Sequence, residues 1–262
     1  ARQASSEPAS LAVDIVDRDS VARAFEAIRP NFVTLLAALS DIDRCQREPE
    51  LAERINVDGA INVARECARH GARLLYTSTG AVFDGSRGLY DEDDLPSPVN
   101  WYGQTKAQAE TAIGQLLPTA TIVRVSLVVG RSAAPGGNSY VDKVVRNLTQ
   151  GNQILAPTFE FRNPIDTGTL GQFLLELTHR DDARGIFHVG ASDKISRYEL
   201  TRAIAEHLGY DRSLIVPQQE AVPGRAPRGR DDFLATRRLG EFCRTSVPTC
   251  RQVIERALDA IA

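Results

Sequence analysis

The chain has 262 residues, 42% hydrophobic and 25% charged, enough to bury a substantial core in one large α/β domain or in a domain with a smaller lobe. Its 31 basic and 34 acidic residues give a formal net charge of -3, without the clustered basic surface that nucleic-acid binding needs, so nucleic acid is not an expected partner. Cys45, Cys67, Cys243 and Cys250 form no CxxC pair and have no histidine at zinc spacing; no metal knuckle is expected, the setting reads as reducing and cytoplasmic, and no apolar run reaches the roughly 18 residues of a membrane span.

In chain order, residues 19–30 read as a helix with Val21, Phe25 and Ile28 on one face and Pro30 as its stop. FVTLLAALS (32–40) is a continuous apolar run of strand length, as in a parallel sheet covered on both sides. Residues 48–70 read as one long helix with Leu51, Ile55 and Cys67 inward and Gly71 as the stop. A buried strand, ARLLYTS, leads into a loop rich in Gly, Asp and Pro over 80–100, then a helix from about Tyr102 to Leu117 and a strand, ATIVRVSLVV, ending at Gly130. This alternation predicts βαβ units and a doubly wound parallel sheet in residues 1–130.

The rhythm changes after Gly130. A flexible loop, a helix over 140–150 and the short strand QILAP are followed by helices near 169–180 and 196–208, with the strand GIFHVG between them. Residues 218–232 form a connector broken by Pro and Gly and carrying arginines, and the last helix starts near Pro248. Residues 131–262 therefore read as a smaller lobe woven onto the first half.

Chemistry concentrates in YGQTK. Tyr102 and Lys106 stand four residues apart at a helix start, which places them on one face with Cβ atoms about 6 Å apart. An ammonium near a phenol favours phenolate, lowering its pKa so that it can exchange a proton with a substrate hydroxyl or carbonyl near neutral pH. With six tyrosines and three lysines, a chance Tyr-x-x-x-Lys is expected only ~0.07 times. The strand LLYTST delivers Ser78 and Thr79 to the end of the sheet where open α/β folds bind ligands, and a hydroxyl there can hold the same substrate oxygen. The plainer role for Thr79 is to satisfy local backbone.

STGAVFDG and YDEDDLPSPVNWYGQTKAQAE, supported by VDIVDRDSV, LAALSDIDRCQREPELAERINVDGAINVA and IVRVSLVVG, resemble the dTDP-4-dehydrorhamnose reductase branch of the extended short-chain dehydrogenase/reductase family. The resemblance covers nearly the whole chain and is densest from Val13 to Gly130. It implies a Rossmann-like fold with a C-terminal substrate lobe, NADP or NAD as cofactor, a nucleotide-sugar substrate and an assembly compatible with a homodimer. It carries the catalytic roles to Thr79, Tyr102 and Lys106, with Lys106 also at the nicotinamide ribose and Tyr102 also among the cofactor-binding residues. Asp14 and Ile15 match the pair flanking the adenine; Ala37, Ala38 and Leu39, with Thr77, match positions along the cofactor, and Asn56 a helix asparagine that supports the site. Ser78, Thr79, Asn138 and Arg162 fall where family members contact the sugar-nucleotide.

The sequence departs from the pattern at its front. No GxxGxxG turn occurs, no methionine occurs where about five would be usual, and the chain starts about where the segment after the second strand should begin. About 30 further residues carrying a phosphate-binding turn are therefore expected to precede it in the whole protein. Arg2 would then lie near the end of the second strand, where it can meet a 2'-phosphate and favour NADP. Gly80 and Ala81 stand where the reductases have Asp and Tyr, and Thr169 stands where the lobe usually has an acidic residue. Three functions follow from the resemblance: reduction of a 4-keto nucleotide-sugar; an epimerase or dehydratase using bound NAD transiently, the dehydratase disfavoured by Gly80 and Ala81; and a non-catalytic cofactor-binding regulatory subunit, disfavoured by the intact Thr79, Tyr102 and Lys106.

Overall fold

In a computed structural model of the chain, which describes residues 10–132 and 139–259, helix α1 (Arg18–Ile28) starts where the Asp17 carboxylate accepts the Asp19 amide and ends where Arg29 turns left-handed at φ 47°. Val21 and Phe25 are buried, while Ile28 is left exposed. Strand β1 (Phe32–Leu35) is followed by helices α2 (Ile42–Arg47) and α3 (Pro49–Glu53), a π-helical turn over Arg54–Asp58, and α4 (Gly59–His70), which stops at left-handed Gly71. Next come β2 (Arg73–Thr79), a 3₁₀ turn at Gly80–Val82, α5 (Trp101–Leu116), β3 (Thr121–Val125) and the two-residue β4 (Val128–Val129).

The second half contains α6 (Tyr140–Thr149), β5 (Ile154–Pro157), β6 (Phe161–Arg162), β7 (Ile165–Asp166), α7 (Thr167–Thr178) and β8 (Gly185–Val189). It continues with β9 (Ile195–Ser196), α8 (Arg197–His207), β10 (Ile215–Gln218), α9 (Arg237–Phe242) and α10 (Cys250–Asp259).

Strands pair in the order β1-β2-β3-β8, all parallel, with Leu35 beside Tyr76, Thr79 beside Val125 and Val125 beside Val189. Because side chains alternate along a strand, Leu74 and Tyr76 of β2 join one buried cluster with Ala64, Cys67 and Ile113, while Leu75 joins another with Phe173 and Phe187. Both faces of the sheet are covered, which is why its strands read as unbroken apolar runs. The fourth strand comes from residues 185–189, so the second half of the chain contributes to the same sheet as the first. Among the described residues no helix is long and apolar enough to cross a membrane, and no group of His, Cys, Asp and Glu is placed to hold a metal.

Three elements differ from the sequence expectation. The single helix over 48–70 is broken: Pro49 opens α3 at its N-terminus and the π turn inserts an extra residue before α4, so Ala52 and Asn56 are buried while Leu51 and Ile55 are only partly so. The apolar run 32–40 is strand only to Leu35; Leu36 is 60% exposed. The run 120–130 splits at Ser126 and Leu127, and its end pairs with β7 outside the main sheet.

Candidate active site

Parallel strands end on one side, and β2 ends at Thr79 beside the start of α5. Helix α5 is fixed there by several side chains. Asn100 caps it by accepting the Gly103 amide at 2.9 Å and donates to the Pro227 carbonyl at 3.0 Å. The Trp101 indole donates to the Pro49 carbonyl at 3.0 Å. Gly103 has no alternative: a Cβ there would sit 2.1 Å from the Ala81 carbonyl oxygen. The Ala81 carbonyl, two residues past Thr79, thus packs directly on the residue that follows Tyr102.

Asn56, in the π turn, accepts the Leu39 amide at 2.8 Å and donates to the Leu39 carbonyl and the Thr105 hydroxyl, both at 3.1 Å. Thr105 in turn donates to the Tyr102 carbonyl at 2.8 Å. The loop holding Ala37, Ala38 and Leu39 is therefore tied to the helix holding Tyr102, and π turns of this kind recur at functional sites.

Thr79 and Tyr102 line one cleft of about 650 Å³. Burial pushes the Tyr102 phenol up to about 12, and a hydrogen bond with Thr79 pulls the other way. The Thr79 hydroxyl also accepts the Ala81 amide at 3.1 Å, so the plainer backbone role is present alongside. Lys106, 2% exposed, lies behind the cleft: Nζ donates to the Thr77 carbonyl at 2.7 Å and stands 4.1 Å from the centre of the Tyr76 ring. Burial pushes its amine down to about 7, opposed by Glu110. Sequence reasoning has Lys106 lowering the Tyr102 pKa; here desolvation dominates at the phenol, and the ammonium is drawn to the Thr77 carbonyl.

Other expected residues separate. Ser78 is 6% exposed, its hydroxyl has no hydrogen-bond partner among the described residues, and it does not line the cleft, because strand alternation turns it away from the face of Thr77 and Thr79. Asp14 accepts the Val16 amide at 2.9 Å, and Ile15 packs where a Gly59 side chain would stand, 2.8 Å from Cδ1. Thr77 donates across to the Leu35 carbonyl at 3.1 Å. Arg162 lines the cleft with its guanidinium shared between Asp232 (3.3 Å) and Glu160 (3.7 Å). Arg2 and Asn138 lie outside the described residues.

The far wall was not read from the sequence. Arg228 grips Asp43 at 2.8 Å and holds its carboxyl below the usual range, and Arg225 meets Glu160 at 3.2 Å. Arg197, stacked 3.8 Å over the Tyr140 ring, has no carboxylate or hydrogen-bond partner for its guanidinium among the described residues. It lines both this cleft and an adjoining one of about 550 Å³ that runs past Leu155, Pro157 and Pro223. The arginines of the 218–232 connector were a signal, but nothing in their spacing places them opposite Tyr102.

Across residues 2–262 the chain matches the family model described as the RmlD substrate binding domain. The chain belongs to that family. This RmlD-family chain is 31% identical over 251 residues to dTDP-4-dehydrorhamnose reductase of Mycolicibacterium smegmatis, covering 95% of the chain and 75% of the relative. It is 29% identical over 222 residues to methionine adenosyltransferase 2 subunit beta of Danio rerio, covering 83% and 68%. Its structure superposes on that of dTDP-4-dehydrorhamnose reductase from Bacillus anthracis in complex with NADP with a TM-score of 0.87 at 28% identity, covering 95% and 87% of the two chains. The Rossmann-like fold of the RmlD-family chain agrees with this likeness.

Proposed function

We propose that the protein reduces a 4-keto group on a nucleotide-linked sugar, with NADPH or NADH as reductant. The observation that carries this reading is the meeting of Thr79 and Tyr102 in a cleft that Arg197 also lines, its guanidinium held in no direct ion pair among the described residues. A phenol held near 12 is protonated at neutral pH, so Tyr102 serves as proton donor to the oxygen of a ketone under reduction. Thr79 holds that oxygen beside it. Arg197, with exposed Lys143 nearby in the lining, offers positive charge to a diphosphate, and the adjoining cleft receives the rest of the nucleotide.

The residues on the cofactor side fit a dinucleotide. Ala37 and Ala38 are small where a backbone must approach, Lys106 supplies a buried cationic donor for ribose hydroxyls, and Ile15 and Asn62 shape the neighbouring edge. The cofactor supplies hydride when bound; Tyr102, Lys106 and Thr79 orient and protonate. In this reading the sheet layer carries the cofactor, the lobe carries the substrate, and four free, buried cysteines suit a cytoplasmic protein.

The likeness to the methionine adenosyltransferase beta subunit favours a second reading, a subunit that binds cofactor without turnover. A panel of nucleotide-4-ketosugars assayed for NADPH and NADH oxidation separates the two. Oxidation with at least one sugar supports the reductase; cofactor binding without oxidation across the panel supports the regulatory subunit.

A further inference from the structure

Lys106 is almost wholly buried, yet its surroundings contain more than its hydrogen bond to Thr77 requires. The Tyr76 ring lies under Nζ at 4.1 Å; Tyr76 is 1% exposed, and its phenol oxygen has no hydrogen-bond partner among the described residues. The residue is thus placed for the face of its ring rather than for its hydroxyl. One helical turn beyond Lys106, on the same face, stands Glu110. Both its oxygens are held by buried Arg124, at 3.1 Å from Nε and 2.7 Å from Nη2, and Arg124 is packed over Phe83 at 5.0 Å with His188 Nε2 at 3.4 Å. A buried ion pair is costly, and apolar residues of the same volume would fill the space as well. They would not place a negative charge one turn from a buried ammonium.

The geometry points to Tyr76 and Glu110 as positioning residues for Lys106: the ring face and the carboxylate clamped by Arg124 favour the ammonium form and fix it at the end of β2. This rests on the reading of Lys106 as part of the cofactor site. The titratable and charged groups around it are Tyr102 and Glu110 on its own helix, Tyr76 on β2, Cys45 on α2 near Tyr102, and Arg124 on β3 behind Glu110. Burial favours the neutral amine, Glu110 opposes it, and the ring adds a second attraction for the cation.

The chain has only three lysines, so NMR of protein labelled with ¹³C and ¹⁵N at lysine follows the side chain of Lys106 directly through a pH titration, with Lys143→Arg and Lys194→Arg assigning the other two. Tyr76→Phe keeps the ring and leaves the midpoint where it is. Tyr76→Leu lowers it by about half a unit to one unit, and Glu110→Gln by about one unit. Should Glu110→Gln fail to fold by circular dichroism, the double variant Glu110→Gln, Arg124→Leu removes the stranded charge and is expected to show the lowered midpoint. An unchanged midpoint in folded Tyr76→Leu, an equal fall in Tyr76→Phe, or an unchanged midpoint in the folded Glu110 variant overturns the proposal. The titration uses neither cofactor nor substrate, so it can fail while the reductase reading stands, and the reverse.

Discussion

Asn56 donates to the Thr105 hydroxyl across 3.1 Å, and through this bond a π turn between α3 and α4 holds the first turn of the helix that presents Tyr102. The same amide group binds both backbone polar groups of Leu39, so three buried or partly buried partners meet at one side chain. Asn56→Ala removes all three bonds and strands the Leu39 amide, while the Leu39 carbonyl keeps Cys45 Sγ and the Thr105 hydroxyl keeps the Tyr102 carbonyl; a loss of about 2 kcal/mol is expected, read from urea unfolding. Wild-type stability in this variant would mean that the Leu39 amide finds another hydrogen bond.

Gly103→Ala tests the contact between the Tyr102 helix and Ala81, two residues after Thr79. Its new Cβ would stand 2.1 Å from the Ala81 carbonyl oxygen, a backbone atom that cannot swing aside. A destabilisation of about 3 kcal/mol and a matching fall in melting temperature are expected. Substitution at Gly114, which has open space in the same helix, is the control and is expected to change little.

The far wall is tested through Arg197. Its guanidinium makes no direct ion pair among the described residues, so Arg197→Ala is expected to leave folding unchanged and to raise KM for the nucleotide-sugar about ten- to a hundredfold, with kcat less affected. An unchanged KM would remove the diphosphate from this part of the cleft.

His188, wholly buried beside Arg124, is pushed down to about 3, chiefly by burial and then by the Arg124 charge. In the unfolded chain the same imidazole titrates near 6.5. Between these values the unfolded state holds the extra proton, so stability falls as pH drops below 6.5, by about 2 kcal/mol at pH 5. Urea unfolding at pH 7.5 and pH 5 is expected to show this loss in the wild type and a smaller one in His188→Gln.

Much of the fold was legible because a doubly covered parallel sheet writes itself as apolar runs separated by helix-length segments, and β2, β3, β8 and α5 lie close to where those runs fall. Tyr102 and Thr79 were legible for a local reason: one is set by a helical spacing, the other by a strand end. The break of residues 48–70 was not, since a π turn leaves the composition helical while shifting the phase by one residue. Ser78 misled because two hydroxyls in succession cannot both face the cleft from one strand. Arg197 and Arg228 were missed because their partners, Tyr140 and Asp43, are 57 and 185 residues away, and only the tertiary structure brings them together.

The central claim is that Tyr102 gives the proton. Steady-state kinetics of Tyr102→Phe on a nucleotide-4-ketosugar reduced by the wild type, with cofactor affinity measured separately by fluorescence, tests it most directly. The expected result is a fall in turnover of about 10²- to 10⁴-fold with cofactor affinity retained. Lys106→Ala is expected to damage both quantities, and Thr79→Ala mainly turnover. Near wild-type turnover in Tyr102→Phe would contradict the account.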